Sequence, residues 1–323
     1  MKKILVLIAI IFSTGYLLSC KENKAPAIKS EAPGRKTNRE SNISKPPATN
    51  LSPRKVQDQI NKEIHDALLI SNDSISGEAA IVIAETHNAI RHLLDSNYAA
   101  ATKAIENAIG KSEVVTTLNR GNGLVPLTRD VIVRDLVADL QTLNDARDEV
   151  EDFIDKGYLQ DARRLANLLV SEIYISTSSI PLQTYPAALK KAVELSKEKK
   201  AAEAALILNA ALNTIVVQER YIPLPLIRAE LMLATSDSLI TAKNNNEVAI
   251  DAFLDNADYQ IRFAEELGYG KRDKEFEELY DAIKNLKKEV KEKNADNKSL
   301  ISSLRKKLIA FKNRITPETE TKK

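Results

Sequence analysis

The chain has a single cysteine, no tryptophan, three histidines and only nine glycines in 323 residues, and most of these scarcities close a chemical route. A lone cysteine, Cys20, excludes an intrachain disulfide and any metal site built from several thiolates. Of the histidines His65, His87 and His92, the last two are five residues apart, about 140° off a shared helical face, so they do not form the i, i+4 pair of a helical zinc site. The glycines never gather into a phosphate-cradling loop; Gly121-Asn-Gly123 is short, runs towards a proline and reads as a turn. No Ser/His/Asp set stands out from the many serines and aspartates. The sequence therefore points to no catalytic residue and no cofactor, and the expectation is a non-enzyme.

Long apolar runs are equally scarce. The one of note is residues 4–12, preceded by Lys2 and Lys3 and followed by Ser13-Thr14-Gly15. It is too short to cross a bilayer, which takes about 20 apolar residues, and reads as an export signal. Leu17-Leu18-Ser19-Cys20 then has the pattern of a bacterial lipoprotein: cleavage before Cys20, with its thiol and new amino group carrying acyl chains. Two or more chains anchor stably where one binds reversibly. The expected address is lipid attachment to the cell envelope, at the outer membrane, with Cys20 as the lipidation site and the membrane as a partner.

Residues 20–53 are poor in large apolar side chains and hold five of the eleven prolines, Pro26, Pro33, Pro46, Pro47 and Pro53. Such a composition cannot bury enough surface to fold and predicts a disordered tether. As a coil it spans on the order of 30 Å, with a taut limit of roughly 110 Å. Residues 21–53 carry seven Lys/Arg and three Asp/Glu, a net +4, and the signal adds +2; since the whole chain is +2, residues 54–323 carry −4. The basic balance belongs to the signal and tether, so no nucleic-acid partner is expected.

From Pro53 onwards Ala, Leu, Ile, Glu and Lys recur at three- and four-residue spacing, predicting helices. The first opens at Ser52-Pro53 and runs towards Leu69, the second spans 77–94, and the third spans 98–109, closed by Gly110. Residues 113–127 read either as a short hairpin or as a loop. Three related tripeptides, Val125-Pro126-Leu127, Ile180-Pro181-Leu182 and Ile222-Pro223-Leu224, read as punctuation between helices. Between them recurs a tight polar turn with an alanine five residues on: Ser96/Ala101, Gly157/Ala162, Lys199/Ala204 and Asn244/Ala249. This is the spacing of repeated helical hairpins. Further on, Phe276, Ile283, Val290, Leu304 and Phe311 share a heptad position, with Leu279, Leu286 and Leu300 near its partner. The predicted fold is all-α: a compact bundle of repeated helical hairpins over 54–270, a coiled-coil-like helix pair over 271–315 and a polar tail over 316–323.

Several of these features together resemble the YfdX-like family. They are the paired helices 84–94 and 99–108, the Val125-Pro126-Leu127-Thr128 loop, the turn from Asp155 to Ala162, Ile180-Pro181-Leu182, the turn from Lys199 to Ala204, and Leu267-Gly268-Tyr269-Gly270. The resemblance runs from about Glu63 to Val290 and implies a helical exported protein associated with bacterial stress responses, without an assigned enzymatic activity. The lipoprotein signal, the tether and the extension beyond Val290 depart from it.

One charged pattern stands out. Asp145, Asp148, Asp152 and Asp155 step by 3, 4 and 3 and share a helical stripe. Near a helix C-terminus they oppose the macrodipole, so the stripe is either a solvated face or a weak candidate site for a divalent ion or a basic partner segment. Two functional classes follow. One is a non-enzymatic helical domain that binds a protein partner or itself, with a chaperone-like or stress-protective effect. The other is a small-molecule or ion binder, or a hydrolase, using a groove lined by Tyr98, Tyr158, Tyr174, Tyr185 and Tyr221.

Overall fold

The computed structural model describes residues 51–68, 73–119, 123–242, 246–292, 297–317 and 319–320. The signal, Cys20 and the tether up to residue 50 lie outside the described residues, as do Leu69, Gly121 and Asn244. No described helix is long and apolar enough to cross a membrane.

A leading helix α1 (Pro53–Leu68) is followed by three successive units of two helices and a strand. These are α2 (Asp73–Leu94), α3 (Tyr98–Leu118) and β1 (Leu124–Arg134); α4 (Leu140–Asp155), α5 (Leu159–Ala166) and β2 (Glu172–Pro181); α6 (Tyr185–Lys197), α7 (Ala201–Leu212) and β3 (Val216–Pro223). Then come α8 (Leu224–Thr241), α9 (Glu247–Glu266), a 3-10 turn (Tyr269–Arg272), α10 (Glu275–Lys291), α11 (Asn297–Ile315) and the two-residue β4 (Thr319–Glu320).

The strands correct the all-α expectation. They form one antiparallel sheet in the order β1-β2-β3-β4, so the protein is mostly helical with a small sheet. The tripeptides mark strand ends rather than helix junctions: Val125 pairs with Ile180, Ile173 with Ile222, and Glu172 with Pro223. Pro126 is accommodated because β1 is an edge strand whose register shifts between Pro126 and Thr128, where a missing N–H breaks no regular ladder. The segment 113–118, read as hairpin or loop, is the last turns of α3, which runs straight through Gly110. An interior glycine costs a helix about 1 kcal/mol, which burial of Ile105, Ala108 and Val115 on either side outweighs.

The hairpin turns repeat atom for atom. Ser96, Gly157 and Lys199 each adopt a left-handed φ, at 57°, 76° and 60°. The next residue donates its N–H to the carbonyl five back: Asn97 to His92, Tyr158 to Phe153, and Lys200 to Leu195, at 2.8–2.9 Å. This is the Schellman closure of a helix. Ala101, Ala162 and Ala204, four residues beyond each N-cap, are buried where the two helices cross. The fourth hairpin departs from the expected register: its N-cap is Asn246, and the buried position is Ile250 rather than Ala249.

Three cores result. Hairpins α2–α3 and α6–α7 bury one, which also takes in Val125 and Ile180. Helices α8 to α11 bury another, in which Phe276, Leu279, Ile283, Leu286, Val290, Leu304, Leu308 and Phe311 all take part. The third lies beneath the sheet, where Ile60 and Ala67 of α1 meet Ile173, Ile175 and Ile222. Helix α8 belongs to both of the latter, through Leu226 and Met232 on one side and Leu224 and Ile227 on the other.

Candidate functional site

Where α1, α8, α9 and the β1–α4 connection meet, they leave a cleft of about 380 Å³. Its walls are largely apolar, from Leu51, Pro53, Val56 and Ile60 on one side and Leu136, Val137, Ala138 and Phe263 on the other. The polar groups are few: Gln57, Asp135, Arg228, Tyr259 and Gln260. Each is set by local structure. Arg228 lies one turn into α8, whose first turn carries Pro225, pre-shaped for a helix start. Tyr259, Gln260 and Phe263 share one face of α9. The connection itself is pinned at its far end, where Asp139 caps α4 by accepting from the Thr142 N–H at 2.8 Å. That bond holds the Asp139 carboxyl below its ordinary pKa. The Leu140 N–H donates to the Tyr259 hydroxyl at 3.1 Å.

Gln260 is 5 % exposed, and its Oε1 has no hydrogen-bond partner. A buried amide oxygen left unpaired costs about 1–3 kcal/mol. Arg228 donates to Asp135 at 2.5 Å, so the cationic and anionic groups at the cleft answer each other.

Behind the cleft runs a continuous polar chain. The Ser171 hydroxyl donates to the other Asp135 oxygen at 2.8 Å, and the Ser171 N–H donates to the Tyr269 hydroxyl at 3.1 Å. Tyr269 in turn donates to the buried Glu172 at 2.8 Å, which also accepts from Arg134 at 3.0 Å. The Arg134 guanidinium lies 5.2 Å from the centre of the Tyr174 ring. Tyr174 and Tyr221 form a pair with ring centroids 5.2 Å apart and both donate to Glu219, at 2.7 and 2.8 Å. Tyr269 reaches this position because Gly268 and Gly270 flank it in left-handed conformation, φ 85° and 74°. A Cβ on Gly270 would stand 3.1 Å from Phe276 and 3.2 Å from Phe311.

The phenols in this chain are donors at neutral pH. Burial, then the charge of Glu172, raises the pKa of Tyr269; burial and the bond to Glu219 push Tyr221 up to about 12; Tyr174 is raised first by its bond to Glu219 and then by burial. They hold positions rather than move protons.

The five tyrosines named from sequence do not line one groove. Tyr174 and Tyr221 meet on the open sheet face, Tyr185 is buried and donates to Thr86 at 3.1 Å, Tyr98 packs on the first core, and Tyr158 is 56 % exposed. Asp145, Asp148, Asp152 and Asp155 lie exposed along α4; Asp145 accepts from Gln141 and Asp152 from Lys156. Among the described residues no three His, Cys, Asp or Glu side chains converge to hold a metal ion. His65 and His87 are exposed and His92 is half-buried. Sequence reasoning missed Asp135, Glu172, Arg228 and Gln260, which carry no local motif. The visible signal was the glycine-flanked Tyr269.

Comparison with known proteins gives one family: residues 82–221, from within α2 to the end of β3, match the model of the family described as YfdX protein. No curated protein matches the chain. Among solved structures, a crystal form of Salmonella Typhi YfdX is similar at 19% sequence identity over 46% of this chain and 92% of that one, with a TM-score of 0.34.

Proposed function

We propose that this chain is a YfdX-like lipoprotein of the bacterial cell envelope that works by binding and not by catalysis. Acylated Cys20 and the basic tether hold the folded part near the outer membrane, and the cleft takes a small uncharged molecule with an apolar body and a hydrogen-bonding head. The observation that carries this reading is Gln260, an amide buried to 5 % exposure with an unpaired oxygen, lining a largely apolar cleft. The volume lies within the roughly 300–1,000 Å³ of small-molecule sites. The Arg228–Asp135 pair is already neutralised, which favours an uncharged ligand over an ionic one. The stress-protective role that the resemblance implies is then sequestration.

The test uses the full acylated chain in nanodiscs, titrated with the uncharged fluorophore N-phenyl-1-naphthylamine. Saturable binding above the lipid background is expected for the wild type. Val56→Trp, which fills the cleft, removes it, and Gln260→Leu weakens it. Equal signals from all three proteins refute the cleft as the binding site.

A further inference from the structure

The lining of the cleft grades from buried to exposed. Ile60, Ala138, Gln260 and Phe263 are at most 7 % exposed, and they form its closed end. Pro53, Gln57 and Val137 are exposed and form its mouth. A ligand that covers the apolar walls therefore meets Gln260 with one end and leaves the other towards the mouth, where α1 begins.

The free valences at the closed end specify the chemistry of the inserted end. Gln260 Oε1 is an acceptor without a donor, so the group that meets it must carry an N–H or O–H. The Tyr259 hydroxyl has the opposite need. Its oxygen accepts the Leu140 N–H at 3.1 Å, while its own proton has no acceptor among the described residues. Successive residues of a helix diverge by about 100°, so the two groups reach the cleft at separate points. A head whose donor and acceptor sit on different atoms matches them better than a single hydroxyl does, and an amide is such a head. The ionic groups disfavour a charged one. Arg228 and Ser171 occupy the two oxygens of Asp135, at 2.5 and 2.8 Å. A ligand carboxylate would have to share Arg228 with Asp135, placing two like charges side by side, and an ammonium would meet a carboxylate that is already paired.

We infer that the cleft takes an acyl chain ending in a neutral amide, inserted amide first. The amide N–H donates to Gln260 Oε1, its carbonyl accepts from the Tyr259 hydroxyl, and the chain runs past Phe263 and Val56 to the mouth. The nitrogen carries at most a small substituent, because it lies at the closed end. This assignment rests on the reading of the cleft as the binding site and names the class of molecule it selects.

The test displaces N-phenyl-1-naphthylamine from the full acylated chain in nanodiscs, against empty nanodiscs, with N-methyloctanamide and methyl octanoate. These two differ by one N–H against one oxygen. The wild type is expected to prefer the amide by about 10-fold. Gln260→Leu removes an unpaired atom and no hydrogen bond among the described residues, and should abolish the preference. Tyr259→Phe should weaken both ligands alike and keep it. Octanoate should compete less well than the amide. Equal displacement by amide and ester in the wild type, a preference that survives Gln260→Leu, a Tyr259→Phe protein that binds both as tightly as the wild type, or octanoate matching the amide would each overturn the amide assignment and leave the cleft reading standing. Dye that shows no saturable binding, or that binds Val56→Trp as well as the wild type, overturns both.

Discussion

Replacing Lys312 with methionine should be among the most damaging single changes in the protein. Lys312 sits on α11 at 3 % exposure, donating to Glu63 of α1 and, at 2.9 Å, to Glu230 of α8. This contact ties α1 to the C-terminal helices. Methionine keeps the volume and removes the charge, leaving two carboxylates facing each other in a site with little water. Breaking a buried pair by removing one partner costs about 3–5 kcal/mol. For a folded part of this size that corresponds to a fall in melting temperature of roughly 10 °C. Burial by itself would lower the Lys312 pKa; the bonds to Glu63 and Glu230 outweigh it, and the value is raised. The stabilisation is therefore complete below the unfolded lysine value of about 10.4 and is lost as pH rises through the raised folded value. Calorimetric melts at pH 7 should separate wild type from Lys312→Met by the full amount, and the gap should close only in strong alkali. The triple variant Glu63→Gln/Glu230→Gln/Lys312→Met should recover much of the loss, because no charge is then stranded. If the single change costs less than about 1 kcal/mol, or the triple variant melts no higher than the single one, the reasoning from an uncompensated buried charge fails.

Other expectations are more local. Gly270→Ala places a Cβ against Phe276 and Phe311 at a positive φ, and should cost about 2 kcal/mol by denaturant unfolding while Gly110→Ala, with open space at its Cβ, stabilises α3. Absorbance titration of the phenols should find Tyr185 and Tyr221 ionising near 12. Between about 10, where the unfolded phenols lose their protons, and that value, the unfolded chain binds fewer protons than the folded one, so stability declines as pH rises; melting temperatures flat across this window would contradict it.

The hairpin repeat was legible in the sequence because a Schellman turn is local chemistry: the left-handed residue, the N-cap and the buried alanine all lie within six positions. The heptad pattern of Phe276 to Phe311 was legible for the same reason. The strands were not. Glu172–Pro181 alternates Ile173, Ile175 and Thr177 towards α1, but the alternation is diluted by serines and surrounded by Ala-rich helix. Its partners are roughly forty to sixty residues away in β1 and β3, and strand preference is settled by such neighbours. The cleft was hidden more deeply, since Asp135, Arg228 and Gln260 come together only through the packing of α8 and α9 on the β1–α4 connection. The aspartate stripe was visible as a pattern, and it lies exposed along α4.

The contact between Glu63 and Lys312 joins positions 249 residues apart in the chain. Helix α1 is made early and covers the sheet, but its place is completed by α11, which is made late. Loop-closure entropy delays such a contact until most of the chain is available. The floor of the sheet and one wall of the cleft thus wait for the end of the chain, although the helix that forms them stands near its beginning.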